Sequence, residues 1–212
     1  MKIRKYLMFI LMFAIFGWVN PAMAVPSPTA QLRVTLDKIV EVLRNKELSQ
    51  DAILDQVNVM VRDKFDFEAM SQRTLGIHWR NATPKQRARF IELFSQLLED
   101  TYRIRIRNYT YQNERVEYVG ETVQGTRGQV DTIVVANKDI PVSYRVRLKG
   151  KEWLVYDVIV EEVSLVNNYR SSYNEIVRKE GFDGLLTRLE EKIRELDAAK
   201  KAAKGSAKKQ GV

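Results

Sequence analysis

The chain has 212 residues, room for one domain or a small pair with a sizeable core. It has no cysteine, which excludes disulfides, thiolate catalysis and cysteine-bound zinc; its single histidine, His78, rules out a histidine pair on a metal and leaves little for a histidine-based triad. The net charge of +8 comes from the two ends, Lys2, Arg4 and Lys5 at the start and five lysines after Asp197, so the stretch 25–197 is formally neutral and argues against a nucleic-acid-binding surface.

Residues 1–24 read as a secretory signal. A basic start precedes an apolar run over 7–19, Asn20-Pro21 breaks it, and Ala22-Met23-Ala24 fits a small-x-small cleavage site. The run is shorter than the roughly 20 residues a membrane span needs, with an uncleaved anchor as the rival reading. Val25 rather than cysteine follows the cut, so no lipid anchor is expected. The expected location is the periplasm.

Helices come next, over about 29–109. Leu32, Leu36, Ile39, Val40 and Leu43 recur at helical spacing. Ser49 can cap a second helix with Ile53, Val57, Met60 and Val61 on one side. Asp66 can cap a short third helix that stops at Leu75-Gly76, and Thr83-Pro84-Lys85-Gln86 spells a capping box with proline at the first helical position. The stripe Phe94, Leu97, Leu98, Tyr102 follows, and Arg103, Arg105 and Arg107 read as a solvated face or, alternatively, as phosphate ligands.

Four strands are expected over 115–119, 129–136, 142–148 and 153–160, joined by short turns into an antiparallel meander. Strict alternation in the last strand sets Trp153, Val155, Asp157 and Ile159 on one face and Leu154, Tyr156, Val158 and Val160 on the other. Both faces are apolar apart from Asp157, so both need cover: core on one side, and either more core or a cavity on the other. Glu161 and Glu162 fall in the corner that follows. Helices resume near Val166, break at Gly181, and restart with Asp183 as a cap; together they span about 164–197. The basic residues 198–212 are expected to be a disordered tail, which either tunes encounters with anionic membranes or only keeps the chain soluble.

Trp153 followed by Val155-Tyr156-Asp157-Val158, then Val163-Ser164-Leu165-Val166 and Asn168-Tyr169-Arg170, resembles the signature of the MlaC-type phospholipid-binding proteins, also called the toluene-tolerance auxiliary proteins. Leu75-Gly76 with Trp79 to Arg87, and Gly181-Phe182-Asp183-Gly184-Leu185, are similar to two further stretches of that family. The resemblance covers about 32–196. It implies an α+β domain in which helices wrap a curved four-stranded antiparallel sheet of the nuclear-transport-factor-two-like kind around an apolar cavity. It also implies a soluble periplasmic carrier, without enzymatic activity or cofactor, that moves glycerophospholipid between outer and inner membranes and so maintains outer-membrane lipid asymmetry. The implied partners are an outer-membrane lipoprotein–porin complex and an inner-membrane ABC transporter with its substrate-binding protein.

Combining the helix stripe with the dry faces of the strands gives Phe94, Leu98, Tyr102, Tyr144, Val146, Trp153, Val155 and Val158 as the expected lipid-binding wall, with either the Trp153 and Val155 face or the Val158 face of the last strand toward the cavity and a charge at Val146 expected to expel lipid. Asp157 is expected to be structural; the competing role is that of a base in a cavity enzyme of the isomerase or hydratase type. A cleft for peptide, as in an export chaperone, is the other alternative. His78 reads as a surface residue. No Walker loop, dinucleotide fingerprint, nucleophile elbow or zinc spacing occurs.

Overall fold

The computed structural model describes residues 25–107 and 114–210, with side chains through 202. The expected leader lies outside the described residues. Helix α1 (Pro28–Arg44) starts at Ser27, whose hydroxyl accepts from the Ala30 amide at 3.2 Å. Helix α2 (Gln50–Lys64) starts the same way at Ser49, and α3 (Phe67–Leu75) at Asp66, which accepts from the Ala69 amide at 3.0 Å. These short polar side chains satisfy amide groups that a helix start leaves without partners.

Gly76 ends α3 with φ 54° and ψ −117°, a region closed to residues that carry a Cβ. The next turn, α4 (Ile77–Asn81), leads into α5 (Pro84–Arg107). A Cβ on Gly76 would also sit 2.8 Å from the Arg170 guanidinium. Gly76→Ala should therefore cost about 1–3 kcal/mol, read as a lower urea midpoint with an unchanged slope. The capping box of α5 is present in both directions: the Gln86 amide donates to the Thr83 hydroxyl at 3.2 Å, and the Thr83 amide donates to Gln86 Oε1 at 2.9 Å.

The sheet runs β1 (Arg115–Gln124), β2 (Arg127–Val135), β3 (Ile140–Lys149), β4 (Glu152–Val160) and β5 (Val163–Ser164), in that spatial order and antiparallel throughout. The two-residue β5 is an addition to the expected four strands. It forms because Glu161 and Glu162 take φ of 46° and 69°, which turns the chain back on β4. Helix α6 (Leu165–Gln210) is kinked at Gly181 (φ 75°), where two helices were expected. Asp183 accepts from Gln86 of α5 at 2.8 Å, so it ties two helices together.

Residues 198–210 continue α6 instead of forming the expected disordered tail. Alanine and lysine, which make up most of the run, are good helix formers, and the helix carries through Gly205 at a cost of about 1 kcal/mol. Lys200 is tied into the fold by ion pairs to the buried Asp100 and, at 3.0 Å, to Asp197.

The feature that organises the sheet is a bulge in β4. Arg145 of β3 faces Asp157, while the next residue, Val146, faces Val155; Tyr156 is the extra residue between them. The bulge reverses the alternation. Trp153, Val155, Val158 and Val160 all share one face with Val142, Tyr144, Val146 and Leu148, whereas Leu154, Asp157 and Ile159 share the opposite face with Ser143, Arg145 and Arg147. The simple alternation expected from sequence is corrected accordingly. The junction of α2 and α3 lies along this edge: the Asp66 amide donates to the Val155 carbonyl at 2.8 Å, and Phe65 bridges to Val155.

Two cores meet at β4. One face packs Val130, Val146, Trp153 and Val155 against Leu32 of α1. On the other side Tyr156 joins a larger core of α3, α5 and α6 that contains Phe90, Phe94, Tyr173, Leu185 and Leu189.

Candidate functional site

An apolar cleft of about 280 Å³ opens between α1, α2, α5 and the first of these sheet faces. Helix α1 contributes Leu32, Leu36 and Ile39; α2 contributes Leu54, Val57 and Val61; Phe65, Phe67 and Met70 line one end. The far wall is Leu98, Tyr102 and Ile106 of α5 with Tyr144, Val158 and Val160 of the sheet. Polar groups, among them Asn58, Lys64, Glu99 and Arg103, are few in this lining. This is the composition of a site for a hydrocarbon-bearing ligand.

Of the eight expected wall residues, Leu98, Tyr102, Tyr144 and Val158 line the cleft. Phe94, Val146, Trp153 and Val155 do not. Phe94 is fully buried because the first half of α5 packs on α6, where its ring meets Tyr169 edge-on at 5.3 Å and Tyr173 at 6.0 Å. Val146, Trp153 and Val155 are on the cleft face of the sheet but beyond its end, under α1. Trp153 is held there by its indole N–H, which donates to the Pro26 carbonyl at 3.1 Å. The walls supplied by α1 and α2 were missed. Their stripes were visible in the sequence, but periodicity marks an apolar face without saying whether side chains or a ligand covers it.

The phenols of the cleft are uncharged across the physiological range. Burial pushes the Tyr144 hydroxyl up to about 12, partly offset by a hydrogen bond with Thr132, and burial likewise raises Tyr102.

The arginines of α5 are not a plain solvated face. Arg107 pairs with Asp51 at 2.7 Å, Arg103 with Asp55 at 2.7 Å, and Glu99 with Arg62 at 2.6 Å. Asn58 adds a bond to Glu99 at 3.3 Å. Arg105 lies over the Tyr102 ring at 5.4 Å. The pairs repeat every turn between two antiparallel helices and fasten the outer wall of the cleft. Each pair joins a largely covered group to a solvent-exposed partner, and pairs with one partner in water contribute little individually. Asp55→Arg should cost about 1 kcal/mol and speed amide exchange in α2 while β2 and β3 stay protected.

Asp157 is 2 % exposed and occupied by the fold. Its oxygens accept from the Ser164 hydroxyl at 2.7 Å, the Val166 amide at 3.1 Å and Arg145 at 3.3 Å. Ser164 in turn accepts from the Asn167 amide at 3.1 Å, so the carboxylate holds the start of α6. It lies on the sheet face opposite the cleft. His78 sits in α4, away from the cleft lining. Among the described residues no group of three or more potential ligands could hold a metal ion, and no helix is long and apolar enough to cross a membrane.

A bent antiparallel sheet, helices over one end of it and an apolar recess between them define an α+β domain built to hold a ligand. The chain belongs to the MlaC protein family, whose model matches residues 33–191. It is 24% identical over 183 residues to the intermembrane phospholipid transport system binding protein MlaC of Haemophilus influenzae, covering 80% of this chain and 84% of that one. It is 26% identical over 180 residues to the toluene tolerance protein ttg2D of Pseudomonas putida, covering 82% and 83%. The solved structure of a phospholipid-binding protein from Ralstonia solanacearum, in complex with a phospholipid, shares the fold with a TM-score of 0.73 at 23% identity, over 81% of this chain and 99% of that chain.

Proposed function

We propose that this protein is a soluble periplasmic carrier that moves glycerophospholipid between the outer and inner membranes and so maintains outer-membrane lipid asymmetry. The observation that carries the proposal is the apolar cleft in a chain of the MlaC family. Acyl chains enter between α1, α2 and the sheet, and the head group stays at the rim beside Asn58, Lys64 and Arg103. Each methylene buried from water contributes about 0.8 kcal/mol, but a bilayer offers nearly the same burial. Transfer between membrane and cleft is therefore close to balanced, and docking on membrane-bound partners decides when lipid enters or leaves. Those partners are an outer-membrane lipoprotein–porin complex and an inner-membrane ABC transporter with its substrate-binding protein. The protein acts without a cofactor and without chemical turnover; the relatives' names describe transport and tolerance, and Asp157, the one candidate base, is engaged by α6. Residues 1–24 direct export and are removed after Ala24.

Solvent extraction and mass spectrometry of the purified protein test this reading. Glycerophospholipid near one equivalent per chain is expected. A peptide in its place would favour the chaperone reading, and an empty protein that also takes up no lipid from liposomes would sink the carrier reading.

A further inference from the structure

A second recess, of about 340 Å³, lies at the turn end of the sheet and is of the opposite character to the cleft. Arg73, Thr126, Arg127, Arg147 and Lys149 line it together with one apolar residue, Leu148. Arg127 and Arg147 are direct cross-strand partners of β2 and β3, on the face turned away from the cleft. Like charges placed opposite each other destabilise a sheet, so this pair needs an anion that the fold only half supplies. Asp66 reaches Arg147 at 2.5 Å. Arg73, Arg127 and Lys149 form no salt bridge among the described residues. The Arg73 guanidinium is held over the Tyr156 ring at 3.9 Å, which fixes it in place. Glu152, opposite Lys149 in the β3–β4 register, is the other acid at this end, and Lys151 in the adjoining turn offsets it. In a body that is formally neutral over 25–197, this is a local concentration of cations on a rigid frame.

We infer that this recess is a docking site for an acidic segment of a protein partner. Arginine forks fixed on two adjacent strands match carboxylate groups in a plane. A bilayer is flat, whereas these groups sit in a recess and Arg147 and Arg73 are only partly exposed. The recess is also on the far side of the sheet from the cleft. A carrier gripped here by a protein keeps its cleft clear to receive or release cargo. A carrier gripped here by a membrane turns its cleft away from it. This last point rests on the carrier reading; the charge argument does not.

The probe is a fluorescent peptide of alternating aspartate and glycine, titrated against the full-length protein at several salt concentrations. Arg127→Glu combined with Lys149→Glu changes two exposed cations that have no salt bridge among the described residues, so the fold should survive. The expected result is binding that weakens with salt and a loss of about tenfold or more in the double variant. Lys46→Glu combined with Lys85→Glu, the same charge change elsewhere, should leave the affinity intact. Equal losses in both double variants would overturn the site in favour of diffuse charge. Loss of binding to phosphatidylglycerol vesicles with peptide affinity intact would overturn it in favour of a membrane contact. Displacement of the peptide by inorganic phosphate at constant ionic strength would make it a site for a free anion. Lipid content, measured alongside, tests the carrier reading separately: an empty wild-type protein that still binds the peptide leaves this inference standing.

Discussion

Val158→Asp should empty the cleft, and Val146→Asp should unfold the domain. The two valines share a face of the sheet, yet only Val158 lines the cleft. A carboxylate at Val158 can reach water through the cleft mouth when no ligand is present, so the free protein loses little. Acyl chains packed on it would force its desolvation, a cost of about 3 kcal/mol or roughly a hundredfold in lipid retention. Val146 is fully buried among Leu32, Val130, Trp153 and Val155. A carboxylate there has neither partner nor water, and a cost above about 4 kcal/mol consumes most of the stability of an ordinary domain. The measurements are lipid content by mass spectrometry and the urea midpoint for each variant. A folded Val158→Asp protein with full lipid occupancy would show that the ligand lies elsewhere. A stable Val146→Asp protein would show that the core is wrongly assigned.

Asp157→Ala should be the most damaging change that removes no apolar surface. It leaves the Val166 amide and the Ser164 hydroxyl buried with their acceptor gone. The expected loss is about 3–5 kcal/mol. Little of it comes from Arg145, whose side chain is 42% exposed. Asp157→Asn keeps one acceptor oxygen and should lose less. Both variants should alter stability more than they alter lipid content in the folded fraction. A stable alanine variant that loses a demonstrable turnover reaction would favour a catalytic role instead.

What could be read from the sequence was local. Caps at Ser49, Asp66 and Thr83, the stop at Gly76 and the break at Gly181 each depend on a few neighbouring residues, and each stands where it was expected. The strands were found for the same reason, although β1 runs on to Gln124 because its hairpin turn is tight. Non-local facts stayed hidden. The fate of the α5 stripe depends on what lies opposite: α6 for Phe94, and the cleft for Leu98 and Tyr102. The capture of Lys200 by Asp100 joins residues a hundred positions apart. The bulge at Tyr156 forms where Asp66 bonds to Val155, and no spacing within β4 announces it.

That bulge gives β4 one residue of slack. Removing Tyr156 would bring Val155 next to Asp157 and restore plain alternation. Trp153, Val155, Val158 and Val160 would stay on the cleft face, and Leu154, Asp157 and Ile159 on the opposite one. What the strand would lose is the Tyr156 ring, which is buried in the larger core against the Arg73 guanidinium, and the local bend that the extra residue gives it. The turn at Gly125 has open space around it and buries no such side chain, so relatives of this chain should vary in length there before they vary within β4.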